Sequence, residues 1–221
     1  LLGAAQTGTG KTAGFVLPLL QRLAPMASKS FSPALHPVRC LILTPTRELA
    51  IQVFESVKTY GKHVPLKPFC VYGGVNINPQ IQEMRKGVEI LVATPGRLLD
   101  LTGQKAVDLR QVSILVLDEA DRMLDMGFIP DIKRIINMIP GSRQTLLFSA
   151  TFSDEIRKLS AQFLKDPATV DAKIIRQCGI AISKWTRPPW RSPAATRRPN
   201  RSRSGRTSSN RRRSATSSRT W

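Results

Sequence analysis

The alternation of apolar and amphipathic segments constrains the fold of this chain more than any other feature. Over the first 165 residues, short apolar runs alternate with stretches in which apolar residues recur at helical spacing. The apolar runs, predicted to be β-strands, are Val38–Leu43, Phe69–Tyr72, Glu89–Ala93, Ile114–Leu117 and Gln144–Phe148. The segments predicted to be helices are Thr12–Leu23, Arg47–Tyr60, Pro79–Arg85, Gly96–Leu101, Ile132–Met138 and Asp154–Leu164.

Strands of this kind are apolar on both faces, so they need helices on both sides of their sheet. Alternation of strand and helix implies crossover connections, and therefore an α/β domain with a mainly parallel sheet flanked by helices. In such sheets, ligands bind at the carboxyl ends of the strands. The polar motifs follow predicted strands or the opening residues, so we expect them to converge on one edge of the sheet.

The opening of the chain contains a candidate phosphate-binding loop. Its glycines allow the backbone to wrap around a phosphate, and its amides and the following helix N-terminus supply positive potential. We predict that Lys11 reaches the β- and γ-phosphates and that the hydroxyl of Thr12 ligates Mg²⁺. The alternative is a Gly/Thr-rich turn that precedes a helix by chance. The loop residues are Ala5, Gln6, Thr7, Gly8, Thr9, Gly10, Lys11 and Thr12, with alanine in the place of the usual first glycine.

Two acidic residues, Asp118 and Glu119, follow the buried apolar run Ile114–Leu117. Carboxylates at a strand tip need a cation or a hydrogen-bonded partner. We predict that Asp118 holds Mg²⁺, and that Glu119 orients and deprotonates an attacking water. The alternative, an exposed acidic turn, is weakened by the phosphate loop earlier in the chain.

Two further turns combine a hydroxyl, amides at a helix start and a guanidinium. These turns are Thr46-Arg47 and Thr94-Pro95-Gly96-Arg97, each at a predicted strand-to-helix junction. This set suits contacts to the phosphate and ribose of a nucleic acid, which position a strand without reading its bases. No aromatic cluster for base stacking accompanies them, so we expect sequence-independent binding. For TPGR alone, a capped turn with a solvated arginine is at least as good an interpretation, and the presence of two such turns in one domain favours the functional interpretation.

Taken together, these motifs resemble those of the DEAD-box ATP-dependent RNA helicases, and they look most like the bacterial RhlE-type members. The matching strings, in the family's order over roughly residues 1–171, are AQTGTGKT (5–12), PTRELA (45–50), Gly73-Gly74, TPGR (94–97), DEAD (118–121) and SAT (149–151). The resemblance implies a RecA-like P-loop domain that binds ATP with Mg²⁺ and one face of single-stranded RNA.

The resemblance also implies roles for individual residues. Catalysis would depend on Glu119 and Lys11, and the metal would be held by Thr12 and Asp118. Ser149 and Thr151 would couple the nucleotide site to the rest of the motor. The residues implied to contact RNA are Pro45, Thr46, Arg47, Gly74, Thr94, Pro95, Gly96 and Arg97.

Three departures from the family pattern limit what the resemblance implies. The glutamine-containing motif that recognises adenine in the family lies upstream of the phosphate loop, and this sequence opens at Leu1, so we expect a truncated start. A second RecA-like domain, which supplies arginine fingers in the family, has no counterpart in this sequence. The resemblance also stops near Asp171. We therefore expect weak nucleotide binding and little or no unwinding by this chain alone.

Residues 172–221 form a segment of different composition, which we predict to be a disordered basic tail. Residues 173–221 contain 14 Lys or Arg and no Asp or Glu, whereas residues 1–172 have a net charge of +5. Apolar periodicity disappears there, so this segment cannot bury enough surface to offset chain entropy. The tail is either an RNA-binding extension or an out-of-frame reading of a gene that continued into a second domain, and its composition favours the second interpretation.

Composition bears on a few remaining questions. Cys40, Cys70 and Cys178 lack metal-ligand spacing, and we interpret them as reduced thiols of a cytoplasmic protein. No apolar run approaches the length of a membrane span. We expect a monomer whose partner is RNA. Two other functions remain open: a non-catalytic RNA-binding protein that acts through its basic tail, and a P-loop ATPase that acts on duplex DNA.

Overall fold

The structure, a computed structural model, describes residues 1–4, 10–30, 32–151, 153–164 and 167–171, with the backbone alone for 170 and 171. The predicted tail, residues 172–221, lies outside the described residues. In chain order, the strands are β1 Leu2–Ala4, β2 Cys40–Leu43, β3 Pro68–Val71, β4 Ile90–Ala93, β5 Ile114–Leu117, β6 Gln144–Ser149 and β7 Thr169–Asp171. The helices are α1 Lys11–Leu23, α2 Arg47–Gly61, α3 Asn78–Arg85, α4 Pro95–Gly103, α5 Ala120–Asp125, α6 Ile129–Met138 and α7 Asp154–Phe163.

The described strands form one sheet in the order β3-β4-β2-β5-β6-β1-β7, and every pair in it is parallel. This arrangement confirms the predicted α/β class. At the centre of the sheet, Leu43 pairs in register with Ala93 on one side and with Leu117 on the other. Parallel neighbours in register bring the carboxyl ends of β2, β4 and β5 to the same edge.

Alternating side chains of the strands face two separate apolar cores. On one face, Cys40 and Ile42 pack with α1 and α2. On the other face, Leu41 and Leu43 pack with α3 to α7. Because successive side chains of a strand point to opposite faces, a sheet covered on both sides needs apolar residues at every strand position. Each fully buried leucine or isoleucine contributes about 1.5–3 kcal/mol to this packing.

Local sequence explains where several helices begin. Thr46 caps α2 by accepting a hydrogen bond from the amide of Leu49 at 3.4 Å, and Ser153 caps α7 in the same way through Ile156 at 3.3 Å. Pro95 opens α4, where a missing amide hydrogen has no cost. Within the described residues, no helix is both long enough and apolar enough to cross a membrane.

The structure differs from the sequence-based prediction in several elements, including two short 3-10 helices over Ala24–Met26 and Pro33–Leu35, and in several element ends. α5, over Ala120–Asp125, was not predicted because its six residues are too few to show a helical pattern of apolar positions. The edge strand β7, over Thr169–Asp171, was also not predicted. The strand predicted from Val38 begins at Cys40, and the helix predicted to end at Leu164 ends at Phe163. None of these differences moves a predicted motif away from the carboxyl edge.

Candidate nucleotide and nucleic-acid site

The carboxyl edge of the sheet brings the described motif residues together, as the sequence predicts. Two strands of one half, β5 and β6, lead into the acidic pair and the SAT string. Three strands of the other half, β2, β3 and β4, lead into PTRELA, the two glycines and TPGR. Ala5, Gln6, Thr7, Gly8 and Thr9 of the phosphate loop follow β1 but lie outside the described residues.

A buried ion pair joins the end of the phosphate loop to the tip of β5. Nζ of Lys11 lies 2.8 Å from Oδ1 of Asp118, and each side chain is only 6% exposed. Lys11 is the first residue of α1, and Gly10 before it adopts a left-handed backbone with φ +82° that favours glycine. The amide of Asp118 donates to the carbonyl of Leu43, which fixes the strand tip. The lysine and the aspartate are therefore placed to act on the same ligand.

Glu119 combines an unusual backbone with a poorly paired carboxylate. Its φ of 55° and ψ of 53° place it in the left-handed region, which is uncommon for a residue other than glycine. Within the described residues, its buried Oε2 accepts no hydrogen bond, and Nη1 of Arg122 lies 3.8 Å away. Burial raises the pKa of this carboxyl, Lys11 opposes the rise, and Asp118 adds to it. A buried carboxylate with a raised pKa and a free lone pair suits a general base.

Asp121 holds the SAT string against the start of α5. Its Oδ2 accepts hydrogen bonds from the amides of Ala150 and Thr151, both at 3.1 Å, and from Oγ1 of Thr151 at 3.2 Å. Oγ of the fully buried Ser149 donates to the carbonyl of Thr151 at 2.6 Å. Three donors on one carboxylate oxygen tie the start of α5 to the residues that follow β6. Asp121 thus links the SAT string to α5, and the coupling role of Ser149 and Thr151 stays a prediction.

The donor set at this edge fits a magnesium ion that arrives with a nucleotide. Asp118 and Thr12 offer a carboxylate and a hydroxyl, both hard oxygen donors. Within the described residues, no group of three or more His, Cys, Asp or Glu side chains could hold a metal ion. Magnesium is commonly held by one or two carboxylates together with phosphate oxygens and water. The residues therefore fit a metal–nucleotide complex better than a metal cage made of protein alone.

The turn after β2 presents Arg47 towards the turn after β3. Arg47 is exposed, and its guanidinium lies 4.9 Å from the centroid of the Tyr72 ring. Thr46 is half-buried and uses its hydroxyl to cap α2, while Pro45 is buried. Gly74 is exposed and has φ +78°, which favours glycine. Of these predicted RNA-contacting residues, Arg47 and Gly74 are the most accessible.

The turn after β4 is more buried than its sequence suggests. Thr94 and Arg97 are each 9% exposed, Pro95 is buried and Gly96 is half-buried. Nη2 of Arg97 donates to the carbonyl of Val75 at 2.7 Å, so the guanidinium serves the fold rather than lying in solvent. The interpretation of this turn as a capped turn with a solvated arginine is therefore wrong. The predicted contacts of Thr94, Pro95, Gly96 and Arg97 with RNA stay predictions.

Three residues of this edge were not assigned a role from sequence. Asp121 lies within the DEAD string, and its acidic side chain near a helix start was the available signal. Tyr72 stacks under Arg47, and Gln80 donates from α3 to the carbonyl of Tyr72 at 3.2 Å. No sequence signal distinguishes Gln80 from an ordinary helix-surface glutamine, because its burial depends on tertiary packing.

A separate cavity of about 720 Å³ lies at the opposite edge of the sheet. Val38, Val88 and Gln111, which line it, precede β2, β4 and β5, so it lies at the amino ends of the strands. None of the predicted site residues lines this cavity. The cavity is therefore separate from the carboxyl-edge site.

Comparison with known proteins agrees with the fold and the edge motifs. The model of the DEAD/DEAH box helicase family matches residues 1–159. The chain belongs to this family, which confirms the family predicted from sequence.

Similar proteins come from plants, bacteria, archaea and fungi. DEAD-box ATP-dependent RNA helicase 20 of Oryza sativa subsp. japonica is 46% identical over 170 residues, which are 77% of this chain and 34% of that protein. The DEAD-box ATP-dependent RNA helicase CshA of Streptococcus pneumoniae is also 46% identical over 170 residues, 77% of this chain and 31% of that protein. The chain thus spans about a third of the length of these relatives.

Solved structures of the family resemble the fold closely. A DEAD box protein from the hyperthermophile Methanococcus jannaschii aligns with a TM-score of 0.69 and 39% identity, over 79% of this chain and 46% of that one. The yeast DEAD-box splicing factor Prp28 aligns with a TM-score of 0.71 and 34% identity, over 77% of this chain and 40% of that one. These neighbours confirm the predicted RecA-like domain. The assignment to RhlE-type members in particular stays a prediction.

Proposed function

We propose that the chain binds ATP with Mg²⁺ and the backbone of single-stranded RNA, and that it serves as the nucleotide-binding part of an ATP-dependent RNA helicase. The buried pair of Lys11 and Asp118, 2.8 Å apart beside the poorly paired carboxylate of Glu119, carries this proposal. Phosphoryl transfer to water requires a cation that binds the phosphate, a carboxylate that holds the metal and a base that activates the water. Lys11, Asp118 and Glu119 are of these three types. The printed names of the relatives, ATP-dependent RNA helicases, support it.

The geometry suggests how the residues divide the work. Lys11 would exchange its partner, since a phosphate that enters beside α1 offers more negative charge than the single Asp118 carboxylate. Asp118 and Thr12 would then hold Mg²⁺, which supplies neutralisation of charge on the phosphate oxygens when it is bound. Glu119 would accept a proton from the attacking water through its unoccupied Oε2. Asp121 would transmit any shift at the start of α5 to Thr151 through its three hydrogen bonds.

RNA would lie along the other half of the same edge. Gly96 has no atoms within 4 Å of where a Cβ would be, so the fold does not require a glycine there, whereas the φ of +78° at the exposed Gly74 accounts for a glycine at that position. An open backbone next to a helix start suits close approach of a phosphate. Arg47 adds a charge at this surface, and neither turn offers a pattern that would read bases. Sequence-independent binding of RNA is the expected result.

Nucleotide binding by the full chain tests the proposal directly. Titration of a fluorescent ATP analogue in the presence of Mg²⁺ should show binding by the wild type, and Lys11→Met should weaken it more than tenfold because the phosphate loses its cation. Lys58→Met, which removes an exposed lysine far from the edge, is the matched control. Equal affinities of the Lys11→Met and wild-type chains would contradict the nucleotide site.

The rate of RNA-stimulated ATP hydrolysis tests the proposed role of Glu119 as the base. Glu119→Gln keeps the shape of the side chain but cannot accept the proton from water, so ATP should still bind while phosphate release falls. Retention of the wild-type rate in the variant would refute the role of Glu119. Binding of RNA that is lost on deletion of residues 173–221 and unaffected by ATP would favour the alternative of a non-catalytic protein that binds through its tail.

A further inference from the structure

The turn between β3 and α3 is held at both ends by buried side chains. This turn, residues 72–75, has the sequence Tyr-Gly-Gly-Val, and its last three residues are exposed. The carbonyl of Tyr72 accepts a hydrogen bond from Nε2 of Gln80 at 3.2 Å. The carbonyl of Val75 accepts one from Nη2 of Arg97 at 2.7 Å. The two donors come from different helices, α3 and α4, so the turn is tied between them.

Gln80 is an unusual residue to bury for packing alone. It is 7% exposed, and its Oε1 accepts no hydrogen bond within the described residues. A buried amide with an unsatisfied oxygen costs free energy, whereas an apolar side chain of similar length would fill the space without that cost. The bond to Tyr72 is therefore what the glutamine contributes at this position.

Arg97 shows the same pattern at the other end of the turn. Its side chain is 8% exposed, and its Nε lies 3.8 Å from the exposed carboxylate of Asp100. Within the described residues, Nε and Nη1 donate no hydrogen bond. The hydrogen bond from this buried guanidinium to the carbonyl of Val75 therefore holds the end of the turn in place.

A turn with two adjacent glycines would otherwise be loose. Glycine has more backbone freedom to lose than any other residue, and no atoms lie within 4 Å of where a Cβ of Gly73 or Gly74 would be. Fixing a segment before its ligand arrives removes that ordering cost from the binding step. Ties at both ends supply this order while the glycines stay open to solvent.

We propose that Gln80 is a positioning residue which, together with Arg97, fixes the turn 72–75 in the conformation that receives the RNA backbone. This role rests on the proposed RNA function of the same edge. Gln80 does not itself touch RNA, because it is buried beneath the turn. Its loss should loosen the turn and weaken RNA contact there without changing the nucleotide site.

Hydrogen exchange measured by mass spectrometry on the full chain tests the role. Gln80→Met keeps the length of the side chain and removes the donor, and Gln82→Met, at an exposed position of the same helix, is the matched control. In the free chain, peptides covering residues 72–77 should exchange about five-fold faster in Gln80→Met, since one hydrogen bond is lost. Exchange in β5 should stay at the wild-type rate, which excludes general unfolding.

The second readout is protection by RNA. A short oligouridylate should slow exchange over residues 72–77 in the wild type and in Gln82→Met, and this protection should fall about five-fold in Gln80→Met. Reading protection locally separates this contact from any binding by the basic residues 173–221. Because Gln80 is uncharged, the dependence of the protection on salt should have the same slope in both variants.

Each outcome decides something different. Wild-type exchange and RNA protection in Gln80→Met would overturn the positioning role alone. Absence of RNA protection at residues 72–77 in the wild type would overturn the proposed RNA function, and with it the positioning role. If β5 also exchanges faster in Gln80→Met, Gln80→Leu, a shorter apolar side chain that offers no donor, replaces it. Normal exchange of the turn in that variant would overturn the proposal.

Discussion

The contributions of Lys11 and Asp118 to the free energy of unfolding should be strongly coupled, because the two side chains form a buried ion pair. At the 2.8 Å separation, two unit charges attract by about 6 kcal/mol at an effective dielectric constant of about 20. Most of this attraction offsets the desolvation of two side chains that are each 6% exposed. Removing one charge leaves the other buried without compensation, so Lys11→Met or Asp118→Asn alone should each cost about 3 kcal/mol of unfolding free energy.

The double variant distinguishes this reasoning from simple loss of contacts. With both charges gone, Lys11→Met/Asp118→Asn should lie within about 1 kcal/mol of the wild type, which gives a coupling energy of several kcal/mol. Urea denaturation without nucleotide, followed by circular dichroism, measures all four chains of the cycle. Lys58→Met, which breaks an exposed pair with Glu55, should cost less than about 1 kcal/mol. If the two single costs simply add in the double variant, the buried pair is not coupled and the reasoning is refuted.

Three further predictions follow from the geometry. Asp121→Asn should cost about 1–2 kcal/mol in urea denaturation and speed exchange of the amides that Asp121 holds, whereas Asp125→Ala, exposed at the end of the same helix, should change neither. Gly87→Ala should destabilise by about 2 kcal/mol or more, because φ is +87° and the new Cβ would lie 2.8 Å from a side-chain carbon. Gly141→Ala is its control, because no atoms lie within 4 Å of where a Cβ of residue 141 would be. Equal melting temperatures of the two variants would contradict the predicted strain at Gly87. Because burial raises the pKa of Glu119, ionising it costs stability as the pH rises above its ordinary value. Glu119→Gln should therefore raise the free energy of unfolding at neutral pH, and this gain should vanish as the pH falls below about 4.5. Urea denaturation at several pH values measures it, and a gain that does not change with pH would contradict the raised pKa.

Sequence was sufficient for the fold class and for the edge on which the motifs meet. Runs such as Ile114–Leu117 are apolar at every position, as a sheet covered on both faces requires, and their alternation with helical segments indicated the α/β class. It was not sufficient for α5, whose six residues carry too little periodicity to show a helix. It also gave no strand order, because order depends on which crossovers pack best.

Contacts within the site were predictable only where they are local. The capping of α2 by Thr46 follows from residues three apart in sequence. The bonds from Thr151 to Asp121 and from Arg97 to Val75 join residues 30 and 22 positions apart, so only the folded chain brings them together. Arg97 illustrates the difference, since its position at a helix start indicated exposure and the structure buries it.

The order of the strands has a consequence for how such a domain can diversify. The turns after β3, β4 and β2 occupy one half of the edge, and the acidic pair and SAT string follow β5 and β6 in the other. The halves adjoin along β2 and β5, where the amide of Asp118 donates to the carbonyl of Leu43. A substitution in the turns of one half would therefore contact few residues of the other half. If the proposed function holds, the three outer turns form a module that a protein engineer could exchange to alter RNA binding while leaving the residues proposed to bind the nucleotide unchanged.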